Sequence, residues 1–208
     1  MTDKELNQAL KNLQELIDKR KNIEIFKDSI NEIKFGKKNK WQYLLSAFLS
    51  VILAILISNT EYTGVTYVEI TDKLLDLSIA FVAMILGSYS IFQALMSPEL
   101  VKLLIKSDGN LLKKSNQSFL YLVILFIADI ILNFTIICIL KVLPEDFLLF
   151  ENVIFSNTIA MILIFLHLFF NFLLILEVIT FALNLYRMFC VYNTLQAAGS
   201  IVDDQEEK

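Results

Sequence analysis

This chain has little that does chemistry. It carries one His and two Cys in 208 residues. No glycine-rich phosphate loop is present, no H-E-x-x-H, no G-x-S-x-G and no Cys/His metal cluster. Cys138 and Cys190 lie 52 residues apart, which excludes metal-ligand spacing and makes a disulfide improbable, so both are expected to be packed thiols. With one His and a single mid-span carboxylate, acid–base chemistry has almost nothing to work with. The expectation is a non-enzymatic protein with no cofactor and no metal. Helix-breaking residues are equally scarce, with two Pro and five Gly. The third and fourth apolar runs contain neither, which argues against the broken helices that build a transporter site.

What is present is apolar sequence, 56% of residues, with a mean hydropathy of +0.62. It is concentrated near residues 43–58, 77–96, 119–140 and 153–176, each close to or above the length that spans a bilayer. The fold class expected is an all-α, four-span transmembrane helical bundle. An amphipathic N-terminal helix (1–40) and an extended last helix flank it. The boundaries expected are 1–40, 41–176 with short loops, and 177–208 for the extension with a disordered acidic tail. Residues 152–192 contain no Gly or Pro and stay largely apolar, so the last helix should span the membrane and continue into water.

The net charge of −4 conceals segregated signs. Of eighteen Lys and Arg, ten lie in residues 1–40, four between spans two and three, and two after span four. Only Lys73 and Lys141 fall in the other two connections, which are acidic. The positive-inside rule therefore puts both termini in the cytoplasm. The Lys-, Asn- and Ile-rich composition suits a low-GC bacterium, and the membrane expected is its inner one. The first apolar run begins about 40 residues in, after a charged segment, so span one is expected to be a retained anchor rather than a cleaved signal.

Along the chain, Thr2 to Glu5 reads as a capping box. Apolar residues then recur at helical spacing through Ile33, with one phase shift near Arg20, and Gly36 ends the pattern. That helix is expected to cover the last helix where it leaves the bilayer, or to pair with the same helix of another subunit, with the membrane surface as the alternative. Its lysines alternate with acids, which argues against direct nucleic-acid binding. In span one Ser46, Ser50, Ala54 and Ser58 recur every four residues. In span two Ala80, Ala83, Gly87, Ser90 and Ala94 make a similar stripe. Small residues so spaced allow close helix contact, and the two stripes are expected to pack spans one and two as a hairpin, with contact of the span-two stripe with another subunit as the alternative. Residues 59–73 are expected as an outer loop turning at Gly64. Ser97-Pro98-Glu99 starts a short cytoplasmic helix that Ser107-Asp108-Gly109-Asn110 should stop.

The polar residues inside the spans are the site candidates. Asp129 and Asn133 lie one turn apart on span three, His167 and Asn171 one turn apart on span four, and both pairs come at similar depth. An intramembrane Asp costs roughly 2.5–3.5 kcal/mol on insertion scales, so it should face protein or water. The four residues form either a buried cluster that locks helices together or part of an ion or proton path. Glu177, Thr180, Asn184 and Arg187 repeat at 3–4–3 past the membrane. They read as a polar helix face, with docking of a soluble cytoplasmic protein as the alternative. By size and threading, though by no specific residues, the chain resembles small four-span proteins of bacterial defence operons, in particular the membrane component of the Kiwa anti-phage system. That resemblance implies a membrane sensor of phage attack acting with a soluble, DNA-binding partner. The role expected is an oligomeric membrane component receiving a signal or partner through its cytoplasmic helices. The alternative is an ion channel or pore-forming effector using Asp129 and His167. An alkaline phosphatase reporter tests the threading: fusions after Thr60 or Glu145 should be active, and fusions after Lys114 or Lys208 inactive. The reverse pattern would invert the topology.

Overall fold

The structure, a computed structural model, describes residues 22–32, 40–96, 98–144, 147 and 150–206. They form α1 (Asn22–Glu32), α2 (Lys40–Ser58), α3 (Thr63–Leu95), α4 (Pro98–Val142) and α5 (Val153–Glu206), with no strand among the described residues. Stretches long and apolar enough to cross a membrane lie at Lys40–Ser58, Thr63–Ala94, Asn116–Val142 and Val153–Arg187. The chain is an all-α, multi-pass membrane protein. The Thr2–Glu5 capping box and the apolar stripe before Asn22 lie outside the described residues.

Helix ends are set by local chemistry. The last carbonyls of α2 are taken by its own exit turn, with Asn59 Nδ2 donating to Ile55 O at 2.9 Å and Thr60 Oγ1 to Ile57 O at 2.7 Å. Pro98 opens α4, where its missing N–H costs nothing. Asn152 Oδ1 caps α5 by accepting the Phe155 N–H at 3.2 Å.

Packing follows two antiparallel pairs, α2 along α5 and α3 along α4, which approach each other less closely than their members do. The pairs meet through two apolar clusters. The first joins Ala54 and Ile57 of α2, Tyr67 of α3, and Ile164 and Leu168 of α5. The second joins Ile85 and Phe92 of α3, Phe119 and Phe126 of α4, and Leu174 and Val178 of α5. Phe119 centres that cluster, with its ring 5.0 Å from Tyr89, 5.9 Å from Phe92 and 4.8 Å from Phe181.

Several expectations are corrected. Residues 59–73 are not an outer loop: only Asn59–Tyr62 turn, and α3 starts at Thr63, absorbing Gly64, Glu69, Asp72 and Lys73. Ser107–Asn110 does not stop a short helix either, because α4 runs through it. One helical Gly costs about 1 kcal/mol, which the neighbouring turns of a 45-residue helix outweigh. The acidic tail after Gly199 is helical to Glu206. The thiols are not packed, since Cys138 and Cys190 are both exposed.

The spans-one-and-two hairpin is also corrected. Ser46, Ser50 and Ala54 are buried as a stripe, but the helix they approach is α5; Ser58 is exposed. Ala80, Ala83, Gly87, Ser90 and Ala94 are all exposed, because α3 turns its bulky face to α4. Finally, α1 lies on α4 and not on the end of α5, since the unbroken α4 offers the nearer helical surface. Ser29 is fully buried, its hydroxyl donating to Ile25 O at 2.8 Å, while Ile23 and Phe26 remain exposed. Closeness of the α2–α5 pair rests on small side chains, so Ser50→Leu should overpack it and cost about 1–3 kcal/mol in detergent unfolding. Leu56→Ala, on the exposed face, should change stability by no more than about 0.5 kcal/mol.

Candidate functional site

Between the two apolar clusters sits a polar layer. The structure brings together Asp129, Asn133, His167 and Asn171, all four buried, the most exposed being His167 at 7%. The i,i+4 spacing on each helix stacks two polar side chains on one face, and the antiparallel crossing of α4 and α5 sets the pairs opposite each other. Asn133 is the hub. Its Nδ2 donates to Asp129 Oδ2 at 2.8 Å and, at 3.4 Å, to Asn171 Oδ1. Its Oδ1 lies 2.8 Å from His167 Nε2. An amide oxygen can only accept, so His167 carries a proton on Nε2. Asn171 Nδ2, which is 3.1 Å from that nitrogen, therefore directs its hydrogen to His167 O, also at 3.1 Å.

Helix α3 contributes two members that the sequence did not single out. Ser78 Oγ donates to Asp129 Oδ2 at 2.7 Å, and the Tyr67 hydroxyl lies 2.8 Å from His167 Nδ1, with the rings edge to face. The result is a continuous hydrogen-bonded chain, Tyr67–His167–Asn133–Asp129–Ser78, drawn from three helices. Tyr67, Thr71 and Ser78 share a buried face, and that stripe was the available signal. Placing residues 59–73 in a loop cut it in two. One atom of the layer is left over: Asp129 Oδ1 is buried without a hydrogen-bond partner among the described residues.

Chemically, the layer is better suited to holding helices than to moving protons. Asp129 and His167 are joined through the Asn133 amide, which does not readily take and release protons, so the chain is interrupted between its two titratable members. Among the described residues no group of three or more His, Cys, Asp and Glu could hold a metal ion.

A second polar tie closes the end of the α2–α5 pair where α2 begins. Gln42 Nε2 donates to Leu176 O at 3.2 Å and to Thr180 Oγ1. Thr180 is thereby engaged within the chain, and Glu177 is half-buried and also has an interaction. Asn184 and Arg187 are exposed. The four docking candidates thus do not form one open face.

Fold and site together define a four-span helical membrane protein with a buried polar layer. No protein-family model, no curated protein and no solved structure matches the chain. If Asn133 is the hub, Asn133→Leu should destabilise the bundle by about 1–3 kcal/mol, since several bonds worth roughly 0.6–1.7 kcal/mol each are lost together. His167→Phe should then cost less in that background than in the wild type, the mark of a shared network. Thr135→Val, whose exposed hydroxyl bonds only Ile131 O at 2.7 Å, should be near neutral.

Proposed function

We propose that this protein is a non-enzymatic component of a bacterial inner membrane, with both termini cytoplasmic. It works as a homo-oligomer that receives a signal or a soluble protein partner through a cytoplasmic helical layer. The observation that carries this is helical continuity. Helix α4 has 45 residues and α5 has 54, about 68 and 81 Å at helical rise, well beyond the 30 Å or so of a hydrocarbon core. Both leave the candidate spans on the same side without a break, and α1 lies on α4. An unbroken helix transmits displacement along its length, so an event at the polar layer and one at the cytoplasmic layer are mechanically linked. The likeness to the Kiwa membrane component fits the same role, with the signal arising from phage attack.

The second reading is a channel or pore-forming effector using Asp129 and His167. It is favoured by one observation, the buried Asp129 Oδ1 with no partner, an atom that a passing ion or water would satisfy. Ion flux in liposomes containing the purified protein separates the two. The signalling role predicts no flux above that of empty liposomes from folded wild-type protein. Flux that disappears in folded Asp129→Leu would make this a channel instead.

A further inference from the structure

One face of α3 does not belong where the bundle puts it. Ser78 and Asp129 are hydrogen-bonded at 2.7 Å, so they share a depth. Asp129 is the midpoint of the candidate span Asn116–Val142, thirteen residues from either end. Asp76 is two residues from Ser78 toward the start of α3 and Lys73 five, which places them only about 3 and 8 Å from mid-span by helical rise. Their side chains are nevertheless 67% and 79% exposed and, among the described residues, pair with each other at 3.6 Å. Glu69 and Asp72 are exposed on the same face. Lys73 can extend its stem toward the outer interface, but an Asp with one methylene cannot. Asp72, Lys73 and Asp76 thus face outward at depths where the other helices present Ile55, Ile131, Phe134 and Leu163, and Glu69 extends the charged face to about 14 Å from mid-span.

Hydrocarbon cannot solvate this face, so in the membrane it is covered by water or protein. The same face continues toward the cytoplasm as the exposed small residues from Ala80 to Ala94. At about 100° per residue all of these positions fall within one arc of about 100°, opposite buried Tyr67, Ser78, Ile85 and Phe92. A Cβ placed on Gly87 meets nothing within 4 Å, so the protomer itself leaves the stripe open.

We infer that this face of α3 is the contact between copies of the chain, with its Ala80–Ala94 half packed helix on helix and its Glu69–Asp76 half lining a water-filled vestibule open to the outer side. The occupant is a second copy because the face carries both signs, Lys73 among Glu69, Asp72 and Asp76, so a symmetry-related copy can place lysine opposite acid. Small side chains then let the backbones close below the vestibule. The inference rests on the oligomeric reading above and adds the face and its hydration.

The test uses the full chain in native membranes with Cys138→Ser and Cys190→Ser. Ala83→Cys should form a disulfide-linked dimer of this chain on mild oxidation. Asp76→Cys should react with a membrane-impermeant maleimide from the outer side about tenfold or more faster than Phe134→Cys, which faces lipid and should not cross-link. Gly87→Leu should reduce the native mass in detergent to that of the monomer. If Gly87→Leu fails to fold, the two cysteine variants still decide. An unreactive Asp76→Cys, an Ala83→Cys that never cross-links, or cross-links only to another protein would each overturn the proposal. A native mass that stays oligomeric in those cases would overturn the face alone, whereas a monomeric wild type would overturn the oligomer as well.

Discussion

Everything in this bundle depends on the polar layer at mid-span. Inside a bilayer no water is available to satisfy a side chain, so every polar group there needs a protein partner or an aqueous cavity. Asp129, Asn133, His167 and Asn171 come from α4 and α5, and Ser78 and Tyr67 from α3. Their hydrogen bonds can all form only at one register of the three helices. Apolar packing in lipid is weakly directional, since a Phe can slide against Leu or lipid at small cost. The polar layer is not. It fixes how far each helix is pushed along its neighbours, and the apolar clusters on either side then fill around that register. An amide suits the hub because its NH2 donates while its oxygen accepts from a separate atom, which is what linking a carboxylate to an imidazole Nε2–H demands.

The architecture concentrates that dependence on one seam. Each antiparallel pair is close, α2 with α5 through Ser46, Ser50 and Ala54, and α3 with α4 through large interlocking side chains. Between the pairs the backbones stand farther apart. Contact there falls to bulky side chains, Phe119 and Phe181 among them, and to the hydrogen bonds from His167 and Asn171 to α3 and α4. A sliding of one pair past the other therefore cannot be gradual in energy. Asn133 loses His167 and Asn171 together, and Tyr67 loses His167 in the same motion.

Much of the fold was legible because the bilayer simplifies the code. Four apolar runs without internal Gly or Pro beyond Gly87 can hardly be anything but helices, and the i,i+4 polar pairs on the last two named the core of the layer. The failures have one physical origin. Gly64, Gly109 and clusters of charge were read as ends of helices, as they often are in soluble chains. Here Gly109 and the charges from Glu69 to Asp76 fall inside helices of 45 and 33 residues, where flanking turns cooperate and a lone glycine costs too little to stop them, while Gly64 sits in the first turn of α3. Moving the start of α3 back to Thr63 changes the site, since it brings in Tyr67 and Thr71 and puts Lys73 and Asp76 at membrane depth. Which helices pair was less legible still. Two small-residue stripes suggested a mutual contact, yet spacing says only that a face can be approached closely, not by what.

The two stripes show why that ambiguity matters. On α2 the small residues meet α5 inside the protomer, and on α3 they are exposed, with open space beside Gly87. Burying Ser46 and Ser50 at 0% while leaving Gly87 open would be wasteful if both stripes served the same bundle. The charges on α3 weigh further against a solitary protomer, because a bundle meant to stand alone would turn Asp76 inward or replace it with an apolar residue. Its inward face is already committed to Ser78 and Tyr67, which complete the polar layer. Helix α3 is thus polar on both sides at mid-span, once toward Asp129 and His167 and once outward. A transmembrane helix with two polar faces has only its flanks left for lipid.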